Sequence, residues 1–97
     1  MAVAVEMDFK GATLAQYDEV MKLMSLADGT RPSPPGALFH WAAETADGIR
    51  VVDVWESQEQ FDAFAQAEIG PYSQQVGIPA SPEVTVYPVH YYLERTQ

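Results

Sequence analysis

The stretch from Gly48 to Gly70, GIRVVDVWESQEQFDAFAQAEIG, constrains the fold more than any other. Residues 49–55 are rich in β-branched and aromatic side chains, with Asp53 as their only acid, and predict a strand. Ser57 predicts a helix cap. Its hydroxyl accepts the free N–H three residues on, and Gln60 reaches back to Ser57 to complete a capping box. Glu59 adds negative charge in the first turn, where the helix dipole favours it. Phe61, Phe64, Ala65 and Glu68 then fall on one stripe at helical spacing. Gly70 predicts a left-handed stop, and Pro71 bars continuation. Such a helix buries its stripe only against a sheet, so the rest of the chain must supply more strands.

It does. Residues 2–9 alternate, with Val3, Val5, Met7 and Phe9 on one face and Ala2, Ala4, Glu6 and Asp8 on the other. After Gly11, Thr13 and Gln16 predict a second capping box. The helix that follows carries an apolar stripe of Leu14, Tyr17, Val20, Met21 and Met24 and ends near Leu26. Residues 27–36, ADGTRPSPPG, are a loop by their prolines and glycines. Residues 37–45 predict a strand, and Asp47-Gly48 predicts a tight hairpin into residues 49–55. Residues 71–76 can hold a short helical turn. Residues 84–93 predict a last strand, interrupted by Pro88 and therefore at an edge.

The order β-α-β-β-α-β predicts one ferredoxin-like α+β domain over residues 1–97. Right-handed crossovers give the strand order 4-1-3-2, all neighbours antiparallel, with both helices on one face. If Asp47 and Gly48 form the hairpin loop, His40 lies opposite Trp55, Ala42 opposite Asp53 and Glu44 opposite Val51. Phe39, Trp41, Ala43, Val52 and Val54 share the reverse face, which carries no charge and is expected to meet the helices. The face with His40, Asp53, Trp55, Leu38 and Ile49 is then expected to be open. An apolar sheet face of that size needs a partner, and a second copy is the natural one. Two sheets packed face to face enclose an apolar pocket with a few polar groups.

Composition narrows the function. Hydrophobic residues make up 47% of the 97, high for so small a body, which again favours a homodimer. The net charge of −9 disfavours binding to nucleic acid or to an anionic membrane. No apolar run is long enough to span a bilayer, and MAVAVEMDF has no basic region typical of a signal peptide. A cytoplasmic protein is expected. With no cysteine and two histidines, no metal site is predicted.

The β-α-β-β-α-β order, VVDVWES running into QEQFDAF, and the closing VYPVHYYL together resemble the dimeric α/β-barrel superfamily. Its members include antibiotic-biosynthesis-monooxygenase-like and muconolactone-isomerase-like proteins. The resemblance covers nearly the whole chain and implies a homodimer whose pocket lies between sheet and helices or inside the barrel. It also implies oxidation of quinol-like or polyketide aromatics without metal or flavin. The helix-borne histidine of some members is absent here, where residues 63–67 read AFAQA.

His40 and Asp53 are the acid–base candidates. A carboxylate across from an imidazole fixes its tautomer and stabilises its charged form, giving a base near neutral pH. The plainer reading is a strand histidine satisfied by its neighbour. Trp55, Leu38, His90 and Tyr92 are the candidate ligand-binding residues, with dimer packing as the plainer reading for His90 and Tyr92. Trp41 reads as helix-facing core, and Glu6 and Asp8 as exposed strand charges. Arg31 is available at a pocket rim for an anionic group. The expected function is a cofactor-independent monooxygenase or an isomerase or cyclase acting on a small aromatic ligand. The alternative is a non-catalytic binding or structural homodimer.

Overall fold

The central strand β1 (Val3–Lys10) alternates buried and half-buried positions, as a strand with one apolar face must. A computed structural model describes it with the rest of residues 1–93. In chain order β1 is followed by α1 (Leu14–Leu23), β2 (Ala37–Thr45), β3 (Gly48–Trp55), α2 (Gln58–Phe64) and β4 (Glu83–Pro88). A π-helical segment (Ala65–Ile69) and α3 (Gly70–Gln75) prolong α2. The four strands form one antiparallel sheet ordered β2-β3-β1-β4, the expected order read from the other edge. This is the ferredoxin-like α+β fold. Both helical stretches lie on one face, where Val20, Met24, Phe61 and Ile69 close over Val3, Val5, Met7 and Phe9.

The caps explain where the helices sit. Thr13 and Gln16 form the expected capping box. The Gln16 amide nitrogen also donates to the Val76 and Gly77 carbonyls, tying the start of α1 to the end of α3. α1 ends in a Schellman turn with Ser25 at φ 61°: Ser25 N–H bonds the Lys22 carbonyl and Leu26 N–H bonds that of Met21. Ser57 caps α2 by accepting the Gln60 N–H, but the reciprocal half of the box is absent. The Ser57 hydroxyl instead donates to the Gln60 side-chain oxygen. Leu14, expected in the stripe, is exposed.

Four further expectations are corrected. Gly70 is not a left-handed stop: its φ is −61° and the helix runs on to Gln75. The π segment absorbs Pro71, which begins a new α turn where its missing N–H is no loss. The stop is Gly77, at φ 82°, in a second Schellman turn in which Gly77 and Ile78 N–H bond the Gln74 and Ser73 carbonyls. The hairpin loop is Ala46-Asp47, and Thr45 pairs with Gly48. Gly48 serves close approach, because a Cβ there would overlap the Phe9 carbonyl of β1. β4 ends at Pro88, so His90, Tyr91, Tyr92 and Leu93 lie beyond the strand.

The fourth correction decides where the chemistry lies. β1 pairs Val3 with Trp55, Val5 with Asp53, Met7 with Val51 and Phe9 with Ile49. The continuous apolar face of β1 takes the helices and brings Asp53 and Trp55 under them. Phe39, Trp41, Ala43, Val52 and Val54 therefore face away, the reverse of the expectation. The open face has an apolar end of Phe39, Val54, Ala4 and Tyr87. Its charged end carries Asp8 paired with Arg50 at 2.7 Å. Glu6 and Asp8 are open-face charges, as their plainer reading has it.

Candidate functional site

Between sheet and helices lies a cavity of about 370 Å³. Its walls are mostly apolar: Met7, Val51 and Trp55 from the sheet, Val20, Met21 and Met24 from α1, and Phe64 and Ile69 from the second helical stretch. Leu38 lines it from a β-bulge between the Ala37 and Phe39 pairs. Ser33 and Pro34 close one side.

One chain of polar groups enters this wall. The hairpin register places His40 directly opposite Asp53, two residues from the expected pairing but on the same face. The Nδ1 of His40 lies 2.6 Å from Asp53 Oδ1. The other carboxylate oxygen, Oδ2, accepts the indole N–H of Trp55 at 3.1 Å. Asp53 is 6% exposed, and these two donors make its burial tolerable. On the far side of the imidazole, His40 Nε2 lies 2.7 Å from the Tyr17 hydroxyl, and the two ring planes differ by 7°.

The partners of His40 order the protons. Burial raises the Tyr17 pKa above its ordinary value, and the nearby charges of Asp53 and Asp18 raise it further. Tyr17 therefore stays a phenol at neutral pH. The Asp53 carboxylate can only accept, so Nδ1 of His40 carries a proton toward it, and in the neutral imidazole Nε2 is then the acceptor of the Tyr17 O–H. The order is Tyr17 O–H to His40, His40 N–H to Asp53, with Trp55 N–H also given to Asp53. This arrangement can take up a proton at the cavity wall and hold the resulting imidazolium against a carboxylate.

No protein-family model matches the chain, and no curated protein does either. Solved structures do. Rv0793 from Mycobacterium tuberculosis superposes with a TM-score of 0.68 at 20% identity, over 97% of this chain and 100% of that one. SnoaB from Streptomyces nogalater, a cofactor-independent oxygenase, gives 0.60 at 15% identity over 97% of each chain. ActVA-Orf6 of Streptomyces coelicolor, a monooxygenase in complex with nanaomycin D, gives 0.58 at 18% identity over 98% and 92%. The chain has the fold of the antibiotic-biosynthesis-monooxygenase-like proteins. At these identities the likeness is one of fold, and the chemistry rests on the residues.

Within this antibiotic-biosynthesis-monooxygenase-like fold the candidate residues divide. His40, Asp53, Trp55 and Leu38 converge on the cavity. His90 and Tyr92 do not line it: they follow the end of β4. Tyr17 was legible only as a stripe residue, although a tyrosine on an apolar stripe carries a hydroxyl that needs a partner once buried. Among the described residues, no three His, Asp or Glu side chains stand close enough together to hold a metal ion.

Arg31 is not free for an anion. Its guanidinium forms a fork with both Glu68 oxygens at 2.6 Å and donates to the Met24 carbonyl, clamping the 27–36 loop onto the π segment. Those hydrogen bonds hold the Glu68 pKa below its ordinary value. A carboxylate depressed by folding stabilises fully above its unfolded pKa, and that contribution is lost as pH falls through the folded value. Glu68→Gln should therefore lower stability at neutral pH, by at most about 1 kcal/mol for a pair 29% and 20% exposed. In urea unfolding the gap to the parent protein should close in acid; a gap constant with pH would mean that the loss does not come from the ionised pair.

Proposed function

We propose that the cavity binds a neutral aromatic compound with an acidic O–H or C–H, and that His40, held by Asp53, takes that proton. The observation that supports this most is the 2.6 Å His40–Asp53 contact in the wall of an otherwise apolar cavity. A buried carboxylate there, and a net charge of −9, select against anions. The reaction in this reading is cofactor-independent monooxygenation. The deprotonated substrate passes electrons to O₂; one oxygen atom enters at a ring C–H ortho or para to the O–H, so that both carbons become the C=O groups of a quinone, and the other oxygen leaves as water with the two displaced hydrogens. Oxygen uptake over a panel of polycyclic phenols tests it. Proton exchange into a substrate without oxygen uptake would instead indicate an isomerase. A panel that binds without either reaction would indicate a binding protein.

In this reading the protein works as a homodimer joined through its open sheet faces. Phe39, Trp41 and Tyr87 are 44%, 41% and 51% exposed on that face, beside Val52 and Val54. Trp55, under the helices, takes no part in this contact. Trp41→Glu should place a charge in the contact and leave each chain folded, because the side chain touches no helix. Sedimentation should then show a 10.7 kDa monomer for the variant and twice that mass for the parent. A parent protein that sediments as a monomer at micromolar concentration would remove the dimer.

A further inference from the structure

Both ring nitrogens of His40 are occupied. Nδ1 is held by Asp53 at 2.6 Å and Nε2 by the Tyr17 hydroxyl at 2.7 Å. An imidazole has one lone pair in its plane at Nε2, and the Tyr17 proton already lies on it. A substrate proton can thus reach His40 only through the Tyr17 oxygen or after Tyr17 has left. Leaving is opposed by the scaffold. Tyr17 stands one turn into α1, next to its capping box and to the Gln16 bonds that fasten this helix to α3. Tyr17 also lines the cavity.

We infer that Tyr17 is the group that meets the substrate and that it relays the substrate's proton to His40. This rests on the proposed role of the His40–Asp53 pair as the base and names the atom through which the pair acts. The substrate O–H bond breaks as its proton moves to the Tyr17 oxygen. In the same step the Tyr17 O–H bond breaks and its proton forms a bond to His40 Nε2. The substrate is left as its anion, Tyr17 is again a neutral phenol, and the imidazolium is held by the Asp53 carboxylate. Tyr17 never carries the charge, which agrees with the forces that keep its hydroxyl protonated. The proton returns by the same route in reverse, from His40 Nε2 to the Tyr17 oxygen as the Tyr17 proton passes to the product or to water in the cavity.

The test uses 2-naphthol, a neutral aromatic whose hydroxyl becomes strongly acidic on excitation and whose anion emits at a longer wavelength. Binding is followed separately, by calorimetry, in the parent protein, Tyr17→Phe and His40→Ala. The relay predicts naphtholate emission from the bound probe in the parent protein, slowed in heavy water. In Tyr17→Phe binding should persist while anion emission falls about tenfold or more, the scale of a lost proton-transfer group. His40→Ala should lose it equally, because Tyr17 then has no acceptor. Undiminished emission in Tyr17→Phe together with loss in His40→Ala overturns the relay and leaves His40 as a direct base. Undiminished emission in both variants, or no binding by the parent protein, overturns the base reading and the relay with it. A packing role for Tyr17 would move the melting temperature but not the emission.

Discussion

His40→Ala is expected to lower turnover by about 10²–10⁴-fold, the range for removing a general base. The readout is oxygen uptake with whichever phenol the panel identifies. The substitution should also cost about 1–3 kcal/mol of stability, because Asp53 is buried and would lose one of its two donors. These two effects can be separated. His40→Asn puts an amide N–H near the position of Nδ1, so it can keep the bond to Asp53, but it cannot accept a proton. It should recover much of the stability and none of the turnover. If His40→Asn is as active as the parent protein, proton transfer does not run through this side chain. Asp53→Asn asks the same question from the other side, since an amide can present its N–H to Nδ1 and reverse the imidazole tautomer. Turnover should fall while Nε2, now carrying the proton, no longer accepts from Tyr17.

Much of the fold was legible because its signals are local. Thr13 and Gln16, Ser57, the alternation of residues 2–9 and the order of elements are all read within a few positions of themselves. The proximity of His40 and Asp53 was legible for a related reason. A slip of two residues in the hairpin register keeps both side chains on one face, so the wrong loop still brought them together. The facing was not legible from the hairpin. β2 carries large side chains on both faces, Leu38 and His40 on one and Phe39 and Trp41 on the other, so its own pattern names no buried side. The deciding fact is the pairing of Val5 with Asp53, a contact between strands 48 residues apart whose register no turn fixes. Asp53 then misled, because a carboxylate usually marks the wet face. Here its oxygens are satisfied by His40 and Trp55, which only the three-dimensional arrangement reveals. Gly70-Pro71 misled in the opposite way: as a pair it reads as a stop, yet the π segment before it lets Pro71 open a new turn.

Trp55→Ala should be among the most destabilising single changes in the chain, at about 3–5 kcal/mol. Trp55 is 2% exposed, meets the edge of Phe61 with ring centroids 5.9 Å apart, and packs on Phe64 at 5.4 Å. These contacts join the last residue of β3 to the second helical stretch, so their loss frees the helix that walls the cavity. A domain of this size has about 5–15 kcal/mol in all, so the variant should unfold at a much lower urea concentration, or fail to fold at 37 °C. Trp55→Phe separates packing from the hydrogen bond. It keeps most of the ring contacts but removes the N–H given to Asp53, leaving that buried oxygen without its donor at a cost of about 1–3 kcal/mol. The comparison also bears on the chemistry. Asp53 holds the His40 tautomer, so Trp55→Phe should reduce turnover even under conditions where the variant is fully folded. Urea midpoints of the two variants that coincide would show that the N–H matters as much as the whole ring, and packing would no longer explain why the strand ends on tryptophan.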